Sequence, residues 1–190
     1  MKKTDRLSNR TELAKLFATL GFRVGAEVGV CSGIFSEILC KNIPNLRLYA
    51  IDSWDRYSMY RDFADKITHA SYYKVAMEKL APYNCVVIKD YSMEAVKEFD
   101  DGMLDFVYID ANHAYKFVKE DVREWTKKVR IGGIVSGHDY YKTKAGNMGV
   151  INAVDEYVKE NGYKFNRTAW NIRDPQKDER QPSWYFVKTH

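Results

Sequence analysis

Two acids and two histidines follow consecutive apolar runs of the chain, and their side chains are the strongest candidates for chemistry. Asp110 and His113 come directly after the run 106–109, and the pair His138 and Asp139 ends the next run. Carboxylates bind divalent cations, and a histidine takes up a proton near neutral pH. Such a cluster at the ends of neighbouring strands indicates proton transfer, metal binding or both.

Of the two histidines, His113 is the preferred general base. It lies three residues after Asp110, where a turn lets both side chains point into one cleft. His138 immediately precedes Asp139, and neighbouring side chains of an extended strand point to opposite faces, so His138 ranks second. The structural alternative is that His113 caps the following helix or bonds a backbone carbonyl.

A glycine-containing turn follows an earlier apolar run. Gly29 and Gly33 have G-x-x-x-G spacing, and Glu27 lies two residues before the first glycine. Glycines allow a tight turn and the close approach of a ligand, and the start of a helix attracts an anion. Dinucleotide-binding folds use G-x-G-x-x-G instead, and a carboxylate at this place would repel a pyrophosphate but attract an ammonium group. Alone, the motif fits an ordinary strand-to-helix turn equally well.

The ends of two further strands carry residues that suit a nucleoside. Asp52 follows Gly33 at roughly the spacing of 20 residues at which an acid accepts hydrogen bonds from ribose hydroxyls. Ser53 and Trp54 come next, and the indole is a candidate to flank an adenine. A third strand is followed by Asp90, Tyr91 and Ser92, where an adenine amino group could be recognised. The alternative for Ser92 is a helix cap.

The elements that position these residues alternate between strand and helix. Apolar runs predict strands at 24–30, 46–51, 85–88, 104–109 and 131–136, and helices at 8–20, 34–42, 72–80, 93–99, 114–128 and 148–160. This alternation predicts an α/β fold with a mainly parallel sheet and helices on both faces. Two final strands, 164–169 and 184–188, have no helix between them, which predicts an antiparallel hairpin at the sheet edge.

The segment 53–71 is expected to be irregular, and with the tyrosines that follow it is rich in aromatic residues. For 53–73 three roles are open: a lid over the reacting groups, a helix packed on the sheet, or a contact in a homo-oligomer.

In order and spacing, these segments resemble the class I S-adenosylmethionine-dependent methyltransferases, and among them the small O-methyltransferase-like branch that includes sugar- and macrolide-modifying enzymes. The similarity covers about 24–140 and rests on EVGVCSGIFSEIL, YAIDSW and DFVYIDANHAYKFVKEDVREW…IGGIVSGHDY. It implies one domain, 1–190, with a Rossmann-like seven-stranded sheet and an N-terminal helix within 1–21. It also implies cofactor contacts, with the methionine part near Glu27, Gly29, Gly33 and Asp110, the ribose on Asp52 beside Ser53 and Trp54, and the adenine framed by Asp90, Tyr91 and Ser92.

The same resemblance raises a metal site. In related metal-dependent enzymes, carboxylates after the fourth and fifth strands bind Mg²⁺, and Asp110 and Asp139 match those places. The catechol-type branch has Asp-Asn at the second place, whereas Tyr140 follows Asp139 here, so one expected ligand is missing. Mg²⁺ is therefore left open. The expected reaction is the methylation of a small-molecule hydroxyl, with His113 as base.

Composition narrows the partners and leaves two rival functions. The net charge of the 190 residues is +4, and basic residues are interleaved with acids, so no nucleic-acid partner is expected. Three cysteines without C-x-x-C spacing and no apolar run of ~20 residues predict a cytoplasmic protein without a membrane helix. A nicotinamide-dependent oxidoreductase is disfavoured by Glu27 and the glycine spacing. A non-catalytic cofactor-binding module is disfavoured by His113 and Asp139.

Overall fold

The computed structural model describes residues 6–55, 66–142, 148–176 and 179–190. Its helices are α1 (Arg10–Thr19), α2 (Ile34–Asn42), α3 (Lys66–Leu80), α4 (Ser92–Ala95) with a 3₁₀ turn (Val96–Glu98), α5 (Tyr115–Lys128) and α6 (Gly149–Asn161). Its strands are β1 (Val24–Val28), β2 (Arg47–Asp52), β3 (Cys85–Lys89), β4 (Leu104–Ile109), β5 (Val129–Gly137), β6 (Asn166–Arg167) and β7 (Trp184–Val187).

Within the described ranges, seven strands form one sheet in the order β3-β2-β1-β4-β5-β7-β6. Strands β1 to β5 pair in parallel, and β7 is antiparallel to both β5 and β6. The predicted α/β fold, a mainly parallel Rossmann-like sheet with a C-terminal antiparallel pair, is confirmed. The chain reverses its direction of travel across the sheet at β1 and β4, which is where ligands bind in such folds.

Both faces of the sheet are covered, which explains why the central strands are continuous apolar runs. On one face, α4, α5 and α6 bury residues such as Val122 and Trp125 against β4 and β5. On the other, α1 and α2 pack Leu13, Phe17 and Leu39 against β2 and β4.

The segment expected to be irregular is partly helical, because α3 already begins at Lys66. The helix lacks a one-sided apolar stripe, so its first residues gave no helical signal in the sequence. Residues 56–65, which include three of the six aromatic residues in 53–73, lie outside the described residues. Tyr72 and Tyr73 pack on a small cluster around Trp54 and Ala76. The lid therefore stays a prediction.

Two strands have other lengths than expected. β5 spans Val129–Gly137, two residues longer at its start and one residue longer at its end than the predicted 131–136. Position 133 requires a glycine, because a Cβ atom there would lie 2.4 Å from the carbonyl oxygen of Asp105. β6 has only two residues at the sheet edge, where the prediction had six. No described helix is both long and apolar enough to cross a bilayer.

Candidate active site

A cleft of about 370 Å³ opens at the carboxyl ends of β1, β4 and β5. This size suits a small molecule. Its walls come from the glycine turn, from the two strand ends with the acids, from α1 and from the segment before β7. They comprise Arg10, Glu27, Gly29, Val30, Cys31, Ser32, Ile34, Phe35, Asp110, His138, Asp139, Tyr141 and Gln181. The topology therefore brings two of the predicted motifs, the glycine turn and the carboxylate pair, to one place.

Gly29 is required by the protein's own backbone. Its φ is +97°, and a Cβ atom there would lie 2.1 Å from the carbonyl oxygen of Asp110. Its amide donates to the carbonyl of Ile51 at 2.8 Å. The glycine thus lets β1 end between β2 and β4. Gly33 has a φ of +75° and precedes α2, where a side chain would be strained in the left-handed region.

Asp52 holds the glycine turn in place. Its Oδ2 accepts the backbone N–H groups of Val30 and Cys31 at 2.9 and 2.8 Å, and its Oδ1 accepts that of Trp54 at 2.8 Å. The indole N–H of Trp54 donates to the carbonyl of Cys31 at 2.8 Å, and the ring is buried. Contacts of Asp52 with a ribose and of Trp54 with an adenine stay predictions.

Glu27 is a buried acid at the floor of the cleft, and it accepts a hydrogen bond from the Ser36 hydroxyl. Burial raises the pKa of Glu27 to about 8, although the Ser36 hydroxyl and the Arg10 charge oppose the shift. A ligand ammonium beside it would offset the cost of burying the carboxylate charge. This environment fits the cation that the sequence predicted for Glu27.

Two carboxylates and two histidines form a cluster at the cleft, whose wall includes Asp110, His138 and Asp139 but not His113. Nε2 of His113 lies 3.3 Å from Oδ1 of Asp110 and 3.4 Å from Oδ2 of Asp139. Nδ1 of His138 lies 3.2 Å from Oδ1 of Asp139 and 3.6 Å from Oδ2 of Asp110. Each imidazole therefore lies between the same two carboxylates. This arrangement can stabilise a proton on an imidazole nitrogen or a cation between the carboxylates.

The prediction that His138 points away from Asp139 is wrong. Strand alternation stops at Gly137, the last residue of β5, and Asp139 has a φ of +53°, in the left-handed region. This turn brings both side chains to the same side. Nε2 of His138 is buried and has no hydrogen-bond partner among the described residues.

The charges in this cluster shift one another's protonation. Burial alone would raise the pKa of Asp110, but the nearby His138, His113 and Arg10 outweigh it and hold that pKa below its usual range. Burial and the Asp110 charge raise the pKa of Asp139. Burial would lower the pKa of His113, but the two carboxylates outweigh it and raise that pKa. The cluster thus favours a proton on His113.

Arg10 is a cleft residue that the sequence reasoning missed. It is 5% exposed, and its Nε lies 3.0 Å from Oε1 of Glu179. Its Nη1 lies 3.7 Å from Oδ2 of Asp110, and the guanidinium is 4.8 Å from the centre of the Phe35 ring. A signal existed, because Arg10 shares the apolar face of α1 with the buried Leu13, Ala14 and Phe17.

The residues after β3 are not part of the cleft wall. The Ser92 hydroxyl donates to Asp121 and accepts the indole N–H of Trp125 at 2.8 Å, so it joins α4 to α5. The alternative that Ser92 caps helix α4 is wrong, because Tyr91 occupies the N-cap position and makes no side-chain capping hydrogen bond. Recognition of adenine by Asp90, Tyr91 and Ser92 stays a prediction, as does a cofactor contact by Ser53.

The carboxylate pair and His113 have the donor set of a cation site. One oxygen from Asp110, one from Asp139 and one imidazole nitrogen from His113 all lie within 4.8 Å of one another. Carboxylate oxygens suit Mg²⁺ and Mn²⁺, and imidazole is tolerated better by Mn²⁺ and later transition metals. The residues present therefore fit a divalent cation, with His113 as a third donor beside the two acids that the sequence indicated.

Solved structures with the same fold are numerous. An O-methyltransferase from Bacillus cereus in complex with SAH shares 14% identity, with 94% of this chain and 80% of that chain covered and a TM-score of 0.66. The O-methyltransferase TomG from Streptomyces achromogenes, in complex with SAM, shares 17%, with 94% and 79% covered and a TM-score of 0.65. An rRNA methylase from Streptococcus thermophilus shares 11%, with 94% and 96% covered and a TM-score of 0.63. At these identities the likeness concerns the fold.

The sequence itself decides the family. No curated protein matches the chain significantly. A family model described as a methyltransferase domain matches residues 26–140, which is more than half of the chain and spans every motif from Glu27 to Asp139. The chain therefore belongs to the methyltransferase domain family, and the class I S-adenosylmethionine-dependent methyltransferase that its motifs indicated is confirmed.

Proposed function

We propose that this protein transfers the methyl group of S-adenosylmethionine to a hydroxyl group of a small molecule. The proposal rests on one observation: residues suited to binding the cofactor and residues suited to binding a proton occur together at one cleft. The buried Glu27 and the glycine turn lie on one side, and the proton-binding cluster around Asp110 and Asp139 lies on the other. Neighbours of the same fold include O-methyltransferases crystallised with SAH and SAM, which supports the cofactor.

In the proposed reaction the cofactor already carries the activated methyl group, so the protein must align the acceptor and remove its proton. Nε2 of His113 is the proposed proton acceptor. A neutral ring with its proton on Nδ1 would direct the Nε2 lone pair at two carboxylates, which is unfavourable, whereas a ring protonated on Nε2 bridges both at 3.3 and 3.4 Å. Asp110 and Asp139 thus stabilise the product of proton transfer, at a place beside the cleft.

Asp110 and Asp139 would hold a divalent cation, which would lower the pKa of a bound hydroxyl. A nitrogen of His113 that joined them as a third donor could not also accept the proton. Without a cation, the same carboxylates would orient the acceptor. Calorimetric titration with Mg²⁺ and Mn²⁺ separates these cases, because Asp139→Asn should abolish the heat of binding. Full activity after exhaustive chelation would instead leave both acids as positioning groups.

The cofactor itself is tested by thermal shift. SAH and S-adenosylmethionine should raise the melting temperature, whereas NAD and NADP should not, because only a bound ligand stabilises the native state. Stabilisation by NAD alone would contradict the proposal and favour the nicotinamide-dependent oxidoreductase. A protein that binds SAH but methylates no acceptor of any kind would be a binding module.

The acceptor is proposed to be a small molecule rather than RNA, although rRNA methylases occur among the neighbours. The carboxylates of Asp110, Asp139 and Glu179 stand at or beside the cleft, and Arg10 is already paired with two of them. RNA binding depends on cations that neutralise phosphates and is therefore strongly dependent on salt. Salt-dependent binding of a structured RNA at micromolar concentration would contradict this part of the proposal.

A cytoplasmic location and a homo-oligomer also stay predictions.

A further inference from the structure

An aromatic pair stands at the cleft, and the proposed function assigns it no role. Tyr141 lines the cleft, two residues after Asp139. The Trp170 ring meets the Tyr141 ring edge-on, with centroids 5.2 Å apart and planes at 86°. We call Tyr141 and Trp170 the aromatic wall. Trp170 is not itself in the cleft wall but adjoins it through the Tyr141 ring.

Trp170 differs from the other tryptophans. All four lie in the described part of the chain, and Trp54, Trp125 and Trp184 are 4%, 0% and 1% exposed, whereas Trp170 is 52% exposed. Exposing half of a large apolar side chain forgoes burial that would favour folding. Large exposed aromatic surface at the edge of a cleft commonly marks a contact site.

The exposure of Trp170 does not come from a loose end of the chain. The amide of Ala169 donates to the carbonyl of Leu7 at 2.8 Å, and the amide of Asn171 donates to that of Arg180 at 3.1 Å. Further along the segment, Glu179 accepts from the side chain of Arg10 and from the amide of Thr11. The backbone on both sides of Trp170 is therefore hydrogen-bonded to other parts of the protein.

We propose that the aromatic wall binds the methyl acceptor, and that this acceptor carries its hydroxyl on a ring with a flat apolar face. An aromatic ring offers such a face directly, and a sugar offers one through its C–H groups. Either ring would lie against Trp170 and Tyr141 and direct its hydroxyl toward the His113 side of the cleft. This inference rests on the proposed function, since it names the acceptor class of the same site.

The exposure pattern supplies a selective probe. Acrylamide quenches exposed tryptophans, so in the wild-type protein it should act mainly on Trp170. With SAH bound, saturation by catechol or by methyl β-D-glucopyranoside should shield Trp170 and reduce quenching. Shielding by catechol identifies an aromatic acceptor, and shielding by the glucoside identifies a sugar. SAH alone should leave most of the quenching in place.

Variants distinguish a loss of acceptor binding at the aromatic wall from a general effect on the fold. Trp170→Ala should weaken binding of the shielding compound about tenfold, and Trp170→Phe should retain most of it, because a ring face remains. Ile131→Ala removes another exposed apolar side chain, 66% exposed on β5, and should change nothing. The affinity for SAH, measured by calorimetry, should be unchanged in all three variants.

The outcomes are distinguishable. If wild-type protein binds SAH but neither compound shields Trp170, the aromatic wall is not an acceptor site. Shielding by a short RNA oligonucleotide alone would also overturn the proposal, because nucleobases stack on aromatic side chains as well. Equal binding by Trp170→Ala and wild type would remove Trp170 from the site. Failure of the wild-type protein to bind SAH would instead contradict the proposed function.

Discussion

Replacing Asp52 with alanine tests whether a single carboxylate organises the glycine turn. Three backbone N–H groups donate to it, those of Val30, Cys31 and Trp54 at 2.9, 2.8 and 2.8 Å. Val30 and Trp54 are buried, so their amides would lose an acceptor without gaining water. Cys31 is exposed, so solvent can replace the carboxylate there. The two buried bonds, at ~1.5 kcal/mol each for a charged acceptor, predict a loss of about 3 kcal/mol in the free energy of unfolding.

Urea unfolding followed by circular dichroism measures this loss. Asp52→Asn keeps a carbonyl acceptor but loses the charge, so it should be destabilised by roughly 1 kcal/mol. Asp100→Ala is the matched control, because Asp100 is an exposed aspartate. An Asp52→Ala protein that unfolds at the same urea concentration as wild type would refute the assignment.

The asparagine variant then tests the ribose contact. Because it should remain folded, a loss of SAH affinity, measured by calorimetry, well above the roughly 1 kcal/mol expected for weakening the turn would support a contact with the ribose. Affinity equal to that of wild type would leave Asp52 with the purely structural role that its backbone hydrogen bonds describe.

Three further predictions follow from the protonation and exposure of single residues. His113→Gln should lower turnover by ~10²–10⁴-fold, which is more than the loss expected for His138→Gln. In the wild-type protein the rate of SAH formation should rise with pH through a pKa above the usual value for histidine, because a protonated ring accepts no proton. A larger loss for His138→Gln than for His113→Gln would reverse the roles of the two histidines. Burial raises the pKa of Asp121 to about 7. Stability should therefore fall as pH rises from about 4 to about 7, and Asp121→Asn should flatten that slope in urea unfolding at pH 5 and pH 8, whereas an unchanged slope would contradict the shift. Cys31 lines the cleft. Although the residue as a whole is exposed, partial desolvation of its thiol and the Asp52 charge raise its pKa to about 11. Iodoacetamide should therefore label it slowly at pH 9, and more slowly still with SAH bound; equal labelling with and without SAH would place the ligand elsewhere.

The fold and the outline of the site were predictable because their signals are local. Buried parallel strands are uninterrupted apolar runs, and α2 and β4 were predicted with the bounds that the structure has. The carboxyl ends of parallel strands meet at one edge, so residues after β1 and β4 had to converge. The start of α3 was missed because its residues carry no helical apolar stripe. The direction of the His138 ring was missed because one left-handed residue, Asp139, ends the alternation on which the prediction rested.

The sequence by itself determined the class of fold, the family and the acid–histidine character of the cleft. Each follows from residue types and spacings within a few turns of chain. Only the tertiary structure decided which distant groups share that cleft. Arg10 reaches Asp110 across one hundred residues of sequence, and Trp170 stands beside Tyr141 because its segment is tied to Leu7 and Arg180. Such contacts depend on how α1 and the segment before β7 pack at the sheet edge, and no local pattern encodes that packing.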